Sequence, residues 1–297
     1  MFKKRKDKEP ELFIIPKDEH ANDQDKLNSD DHEGIGFFLI NKIMKIPKVT
    51  VDREKFLTDT FKDEVSADVL NKIIKEGTAA ANIPLKQVRK HALACIKKVK
   101  AISTTESAAT GLPGGPVGIT AGIAVDLTQF YSNIINLIQK LCYLYGMQDI
   151  KSIDDIRDNH EMAAYIVLIF IGVASGIRGI DSAAKVVFKG LSGHYVKLSS
   201  KLILFSKPAF YSVAKKVAKS IGVSISKKGF AKAASKAVPV IGAGISGTLN
   251  WITFTPMANK LRYCLENEYK DMLKHPSSEN VINDIEKIIK EIQVENE

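Results

Sequence analysis

The sequence predicts an all-α fold, a single compact multi-helix domain built around two long core helices that start at prolines and glycines. Apolar residues recur at helical spacing along most of the 297-residue chain. Residues 107–125 and 237–259 are charge-free segments of 19 and 23 residues. Each leads from proline and small residues into a long amphipathic segment. We therefore expect these two long helices to form the centre of the core.

The two charge-free segments share a few residues, which suggests an internal pseudo-repeat. A shift of 126 positions superimposes Pro113, Gly118, Ile119 and Asn133 on Pro239, Gly244, Ile245 and Asn259. Because four identities are few, the firmer observation is the shared design of a proline start, small first turns and a long helix.

Glycines at every fourth position lie on one helix face and let a second backbone approach closely. This spacing occurs at the start of the first long helix and again in the uncharged run from Met162 to Ile177. That run is short for a membrane span and suits a buried core helix. The glycines predicted to allow close packing are Gly114, Gly118, Gly122, Gly172, Gly176 and Gly244.

Caps and apolar spacing place the helices of the first half of the chain. Ordered structure should begin around Gly36, and Asp52 can cap a helix that runs on to Gly77. Pro84 opens the next helix. The first long helix should run from Pro116 to about Tyr145.

In the second half, several short amphipathic helices are expected between residues 178 and 236, separated by Pro208 and Gly222. The second long helix should run from near Pro239 to about Glu268. A last helix lines up isoleucines on one side of a charged segment, as a lid over the core or, alternatively, a dimer seam. These isoleucines are Ile282, Ile285, Ile288, Ile289 and Ile292.

The domain organisation follows from composition. Residues 1–34 are rich in charge and poor in apolar side chains, which predicts a disordered tail, and residues 35–297 form the helical domain. The apolar run from Leu12 to Ile15 is too short for the core of a signal peptide. The three cysteines are odd in number and far apart, which indicates reduced thiols in a cytoplasmic protein.

A polar line follows the second half of the first long helix with a spacing of three and four residues. Its members are Asp126, Gln129, Asn133, Asn136 and Lys140. We favour a solvated helix face, because polar faces are typical of surface helices. A buried polar seam or a ligand groove is the alternative.

The net charge of +9 is concentrated between Arg178 and Lys236, where 13 basic residues face a single acidic one, Asp181. This excess indicates an anionic partner. Twelve of the 13 are lysines, which argues against nucleic acid and for an anionic membrane surface that lysines on one outer side would contact. The alternative is a solvated basic face. The candidate contact residues are Lys197, Lys201, Lys207, Lys215, Lys216, Lys219, Lys227 and Lys228.

No motif in the sequence commits the chain to a reaction. Gly111 to Gly122 lacks the Lys and Ser/Thr of a phosphate-binding loop. No metal-ligand pair, glycine-flanked serine nucleophile or useful carboxylate pair stands out. We therefore expect neither a cofactor, nor a bound metal, nor catalytic residues.

Several sequence blocks resemble the EcsC family. The most specific are Gly-Leu-Pro-Gly-Gly at 111–115 and Tyr-Leu-Tyr-Gly at 143–146. The others lie at residues 46–49, 52–53, 56–57, 126–127, 129–131, 139–141, 235–242, 246–247 and 256–257, so that the resemblance covers about residues 45–265. It implies a bacterial, mainly helical protein without established catalytic residues, and an association with transporters or secretion, because the family is named for a gene beside an ABC-transporter pair.

These observations predict a non-enzymatic intracellular protein that acts peripherally at the inner membrane surface or on a membrane protein, through a lysine-rich amphipathic face at residues 178–236. One alternative is an integral membrane protein with residues 107–125 and 237–259 inserted. Another is a small-ligand-binding protein or an enzyme that uses the polar line.

Overall fold

A computed structural model describes residues 31–109, 116–149, 159–192, 207–225, 244–274 and 279–294. Within these ranges the chain forms ten α-helices, a short 3₁₀ turn and no strand, which confirms the predicted all-α fold. The pseudo-repeat stays a prediction, because residues 110–115 and 226–243, where its copies would begin, lie outside the described residues.

The first five helices are α1 (His32–Met44), α2 (Arg53–Phe61), α3 (Ala67–Glu76), α4 (Leu85–Ala109) and α5 (Pro116–Leu144). The second five are α6 (Asn159–Ser175), α7 (Asp181–Leu191), α8 (Lys207–Ile225), α9 (Gly244–Lys274) and α10 (Glu279–Val294). The 3₁₀ turn at Pro47–Val49 joins α1 to α2. Both long helices, α5 and α9, were predicted, and Pro116 opens α5 as expected.

Helix α6 lies at the centre of the described fold. Every residue from Met162 to Ala174 is buried, and α1, α5, α7, α8 and α9 all pack against it. Each fully buried large side chain contributes about 1.5–3 kcal/mol relative to exposure, so this charge-free stretch of α6 supplies a large share of the core. The predicted buried core helix is therefore confirmed. Among the described helices, none combines the length and the hydropathy that a membrane span requires.

Helices α1 and α8 cross in opposite directions with their backbones in direct contact. A Cβ atom on Gly36 would overlap the carbonyl of Ala218, and one on Gly222 would overlap the carbonyl of His32. Both positions are buried. Only glycine permits this approach, because any side chain would have to move backbone atoms.

The segment after α5 joins several helices. Gly146 ends α5 in the left-handed region (φ 95°) and lies against Gly77, which ends α3 (φ 92°). The buried Arg53 donates from Nε to the Met147 carbonyl at 2.9 Å and from NH1 to the Ile74 carbonyl at 2.6 Å. Its guanidinium thus satisfies the Ile74 carbonyl in the last turn of α3 and the Met147 carbonyl after α5.

A buried carboxylate joins α4 to α9. Glu266 is almost fully buried and accepts hydrogen bonds from Arg89 of α4 and from Arg262 one turn earlier on α9. Nearby, the Tyr269 hydroxyl donates to the Ile83 carbonyl at 2.7 Å. Because removal of one partner from a buried ion pair strands a charge, this cluster fixes α4 relative to the core.

Three predicted boundaries differ from the structure. Helix α1 begins at His32, with Asp31 as its N-cap, so residues 31–34 of the predicted tail belong to the fold. The single helix expected from Asp52 to Gly77 is two helices, because Ser66 caps a new one. Gly222 does not separate two helices, since α8 runs through it to reach α1.

The lid expected from the last helix agrees with the described contacts. Helix α10 packs against α7 and α8, and Ile285, Ile289 and Ile292 are buried within the chain. This packing favours the lid over the dimer seam, because the apolar side of the helix is already covered.

The crossing of α1 and α8 gives a first test. Gly222→Ala should lower the melting temperature by several degrees, since the added methyl group overlaps the His32 carbonyl and overpacking costs about 1–3 kcal/mol. The matched control is Lys219→Ala on the exposed side of the same helix, where about 0.5 kcal/mol or less is expected. Differential scanning calorimetry on both variants measures the shifts. Equal melting temperatures would contradict the close crossing.

Candidate functional site

Helix α8 divides into a buried half and an exposed half along its length. Its buried half packs against α1 and α6. Its exposed half, which we call the α8 outer face, carries Pro208, Tyr211, Lys215, Lys216, Lys219, Ser220 and Val223. This face therefore carries three of the lysines predicted to contact an anionic surface.

Two large apolar groups lie on the α8 outer face with these lysines. Tyr211 is 41% exposed and Val223 is 42% exposed. Twelve residues of helix separate them, which corresponds to about 18 Å along the axis. The lysines lie between these two apolar groups, so the α8 outer face carries both charged and apolar side chains.

An acidic residue of α1 reaches one end of this face. Glu33 accepts a hydrogen bond from the Tyr211 hydroxyl at 3.3 Å and pairs with the Lys215 ammonium at 3.2 Å. The hydrogen bond and charge of Glu33 raise the pKa of Lys215. Lys216 and Lys219 have no ion pair or side-chain hydrogen bond to another described residue. The positive charge on this face therefore comes chiefly from these two lysines.

An aromatic cluster beneath the face fixes its orientation. The ring of Tyr211 stacks on Phe37 of α1 at a centroid distance of 6.2 Å and lies 5.6 Å from Tyr165 of α6. Phe37 also meets Tyr165 edge-on at 5.8 Å. Because the three rings come from three helices, they hold α8 in one rotation about its axis.

The remaining predicted contact lysines are distributed as follows. Lys207 opens α8 and is half-buried. Lys197, Lys201, Lys227 and Lys228 lie outside the described residues. In the same stretch of sequence, Lys189 is buried and pairs with Asp271 of α9 at 3.2 Å, so it belongs to the core and not to a contact surface.

The lysines are not confined to one side of the fold. Lys86, Lys90, Lys97 and Lys98 are exposed on α4, which packs against α5 and α9. That the lysines of residues 178–236 share one outer side stays a prediction, because four of the eight candidate contact lysines lie outside the described residues. Exposed apolar groups lie beside the lysines on both helices, namely Leu93 on α4, and Tyr211 and Val223 on the α8 outer face.

The polar line of α5 lies at half-buried positions. Gln129, Asn133, Asn136 and Lys140 are all partly covered, while the side chain of Asp126 lies outside the described residues. The line is thus neither a fully solvated face nor a fully buried seam. Asn133 and Gln129 both interact with other groups in the fold.

Gln139, next to this line, clamps the 3₁₀ turn onto α5. Its amide nitrogen donates to the Val49 carbonyl at 2.8 Å, and its amide oxygen accepts from the Val51 backbone N–H at 3.0 Å. Asn136 donates a longer bond to the same carbonyl at 3.5 Å. Part of the polar side of α5 therefore serves to hold the α1–α2 connection, which sequence spacing alone does not reveal.

The predicted close-packing glycines divide into three groups. Gly172 lies in α6 against Ile180 and Val217 of α8, where a Cβ would need the Val217 methyl to shift. Gly176 instead ends α6 in the left-handed region (φ 72°), with the Ile177 N–H donating to the Gly172 carbonyl at 3.0 Å. It therefore stops the helix, and the Lys260 side chain of α9 also lies directly against it. Gly114 and the surroundings of Gly118, Gly122 and Gly244 lie outside the described residues.

Near the exposed end of α2, a carboxylate collects three donors. Glu64 pairs with Lys90 at 3.0 Å, with Gln87 at 2.9 Å and with His91 at 2.9 Å. The hydrogen bonds from Gln87, His91 and Lys90, in that order, lower the pKa of Glu64 to about 2. His91 is thus held by a carboxylate, in agreement with a structural role.

Within the described ranges, no group of three or more His, Cys, Asp or Glu side chains is placed to hold a metal ion. All three cysteines are free, and Cys142 is buried while Cys95 and Cys264 are half-buried.

Comparisons with protein-family models, with curated proteins and with solved structures find no match to this chain. The resemblance to EcsC proteins therefore stays a prediction. The structure gives the Tyr-Leu-Tyr-Gly block at 143–146 a physical role independent of any family, since it ends α5 and joins α3 through Gly146.

The carboxylate cluster predicts a pH dependence. Glu64→Gln should lower stability at pH 7 by about 0.5–1 kcal/mol, because the partners are solvent-screened. A lowered folded-state pKa means that the wild-type contribution is present above about pH 4.5 and is lost as the pH falls to about 2. Urea unfolding measures the free energy of unfolding of the wild type and of Glu64→Gln, and the difference between the two should therefore shrink as the pH falls through this range. Asp63→Asn, an exposed neighbour, is the control, and a constant difference for Glu64→Gln would contradict the cluster.

Proposed function

We propose that this protein is a non-enzymatic peripheral protein that binds anionic phospholipids at the inner face of the cell membrane through the α8 outer face. The observation that carries the proposal is the exposure of Lys215, Lys216 and Lys219 between Tyr211 and Val223. The three free cysteines suit a reducing compartment.

Lysine and tyrosine side chains suit the surface of a bilayer, where charged headgroups lie above apolar lipid chains. A lysine ammonium pairs with anionic headgroups while its long apolar stem lies along the interface. Tyrosine is favoured at the same depth, because its ring is apolar and its hydroxyl is polar. Val223 would add apolar contact at the other end of the face. This composition supports binding in the plane of the surface and not insertion across it.

The expected affinity is modest. Each lysine close to an anionic surface contributes about 1 kcal/mol, and the attraction fades beyond a Debye length of about 8 Å at physiological salt. Lys215 should contribute less, because Glu33 already neutralises it. Lys216 and Lys219 together therefore provide about 2 kcal/mol, which suits reversible binding.

The proposal predicts lipid-dependent sedimentation of the full chain. We expect the protein to pellet with vesicles of phosphatidylglycerol mixed with phosphatidylcholine, and to remain in the supernatant with phosphatidylcholine alone. The double variant Lys216→Gln/Lys219→Gln should weaken binding about 30-fold, the equivalent of about 2 kcal/mol. Raised salt should weaken the wild type in the same direction.

Lys287→Gln/Lys290→Gln on α10 is the matched control. It removes the same charge at the same spacing from an exposed helix face, where Glu286 and Glu291 are also exposed. Its vesicle binding should equal that of the wild type. An equal loss in both double variants would mean that only net charge matters. Equal recovery on neutral and anionic vesicles would refute the proposal and favour a membrane protein as the partner.

A further inference from the structure

A cleft separate from the α8 outer face lies where α2, α4 and α5 meet. Its volume is about 460 Å³, and it opens to the surface. The cleft is lined by Phe56, Asp59, Thr60, His91, Ala94, Cys95, Lys98, Val99 and Lys140. A cleft of this size and mixed lining is typical of small-molecule sites.

Two ammonium groups enter the cleft from facing helices, and neither pairs with a carboxylate of the described residues. Lys98 comes from α4 and Lys140, a member of the predicted polar line, from α5. Neither forms an ion pair or a hydrogen bond to another described residue. Burial and then the charge of Lys98 lower the pKa of Lys140, partly opposed by Cys95. Keeping this positive charge partly buried therefore costs free energy, and a bound anion would lower that cost.

The nearby carboxylates are already engaged. Asp59 pairs with Lys55 at 3.2 Å and with Lys62 at 4.0 Å on its own side of the fold. Glu64 holds Lys90 and His91. Within the described part of the chain, these pairs leave Lys98 and Lys140 without a carboxylate partner.

The other lining groups restrict the ligand further. Phe56, Ala94 and Val99 give the cleft an apolar wall. Burial raises the pKa of the Cys95 thiol, partly opposed by Lys140 and Lys98, so the thiol adds no negative charge at neutral pH and can donate a weak hydrogen bond. The hydroxyl of Thr60 donates to the Phe56 carbonyl at 2.7 Å, so towards a ligand it can only accept a hydrogen bond. The strong, positively charged donors for a headgroup are thus the two lysines.

We infer that this cleft binds a small organic anion, a carboxylate or phosphate group attached to a compact apolar group, with the charged end between Lys98 and Lys140 and the apolar end against Phe56 and Val99. The site is independent of the membrane surface proposed above. It gives the polar line of α5 a ligand-binding member.

Calorimetric titration of the full chain with phenyl phosphate and with benzoate tests the inference, with benzyl alcohol as the uncharged probe. We expect saturable one-to-one binding of at least one anion and weaker binding of the alcohol. Lys140→Met, which keeps the length and apolar stem of the side chain, should weaken anion binding at least about tenfold. Lys98→Met should act in the same direction, and it decides the matter if Lys140→Met does not fold, because Lys98 is exposed.

Lys97→Met is the matched control, since Lys97 is exposed on α4 and does not line the cleft. It should leave anion affinity within about twofold of the wild type, and so should Lys216→Gln/Lys219→Gln, which separates this site from the α8 outer face. The inference is overturned if neither anion binds the native chain at millimolar concentration, if benzyl alcohol binds as tightly as the anions, or if the Lys98 variant binds like the Lys97 variant.

Discussion

The structure depends on the burial of the charge-free stretch of helix α6, from Met162 to Ala174. Helix α6 has no side that water could solvate favourably between Met162 and Ala174, so five other helices must cover it. This requirement gives each covering helix an inward apolar half and leaves its polar half outside. Helix α8 approaches α6 closely where Val217 lies against Gly172, and Gly36 and Gly222 bring its backbone into contact with α1.

The same packing sets the properties of both candidate sites. The α8 outer face is the half of a helix that the core does not need, and the ring cluster of Phe37, Tyr165 and Tyr211 fixes which residues it presents. The cleft arises where α4 and α5 diverge beside α2, and its lysines lack the carboxylate partners that Glu64 and Asp59 provide elsewhere.

Local signals in the sequence sufficed for most helices. Asp52 as a cap, Gly77 as an end and Pro116 as a start depend on a few neighbouring residues, and they are observed. Distant contacts could not be predicted. Neither Gly36 nor Gly222 belongs to a series of glycines at every fourth position. Glu33 meets Tyr211 across 178 residues of sequence. Lys140 was singled out as a member of the polar line, whereas no sequence pattern singles out Lys98, because periodicity does not tell which helix stands opposite.

Covalent labelling of lysines, read by mass spectrometry with and without anionic vesicles, tests most directly the claim that packing around α6 leaves the α8 outer face free to meet a membrane. In the free protein, Lys216 and Lys219 should label fast, and the buried Lys189 should label slowly. Anionic vesicles should then protect Lys216 and Lys219 while Lys287 and Lys290 keep their rates. Fast labelling of Lys189, or equal protection of all four exposed lysines, would contradict the account.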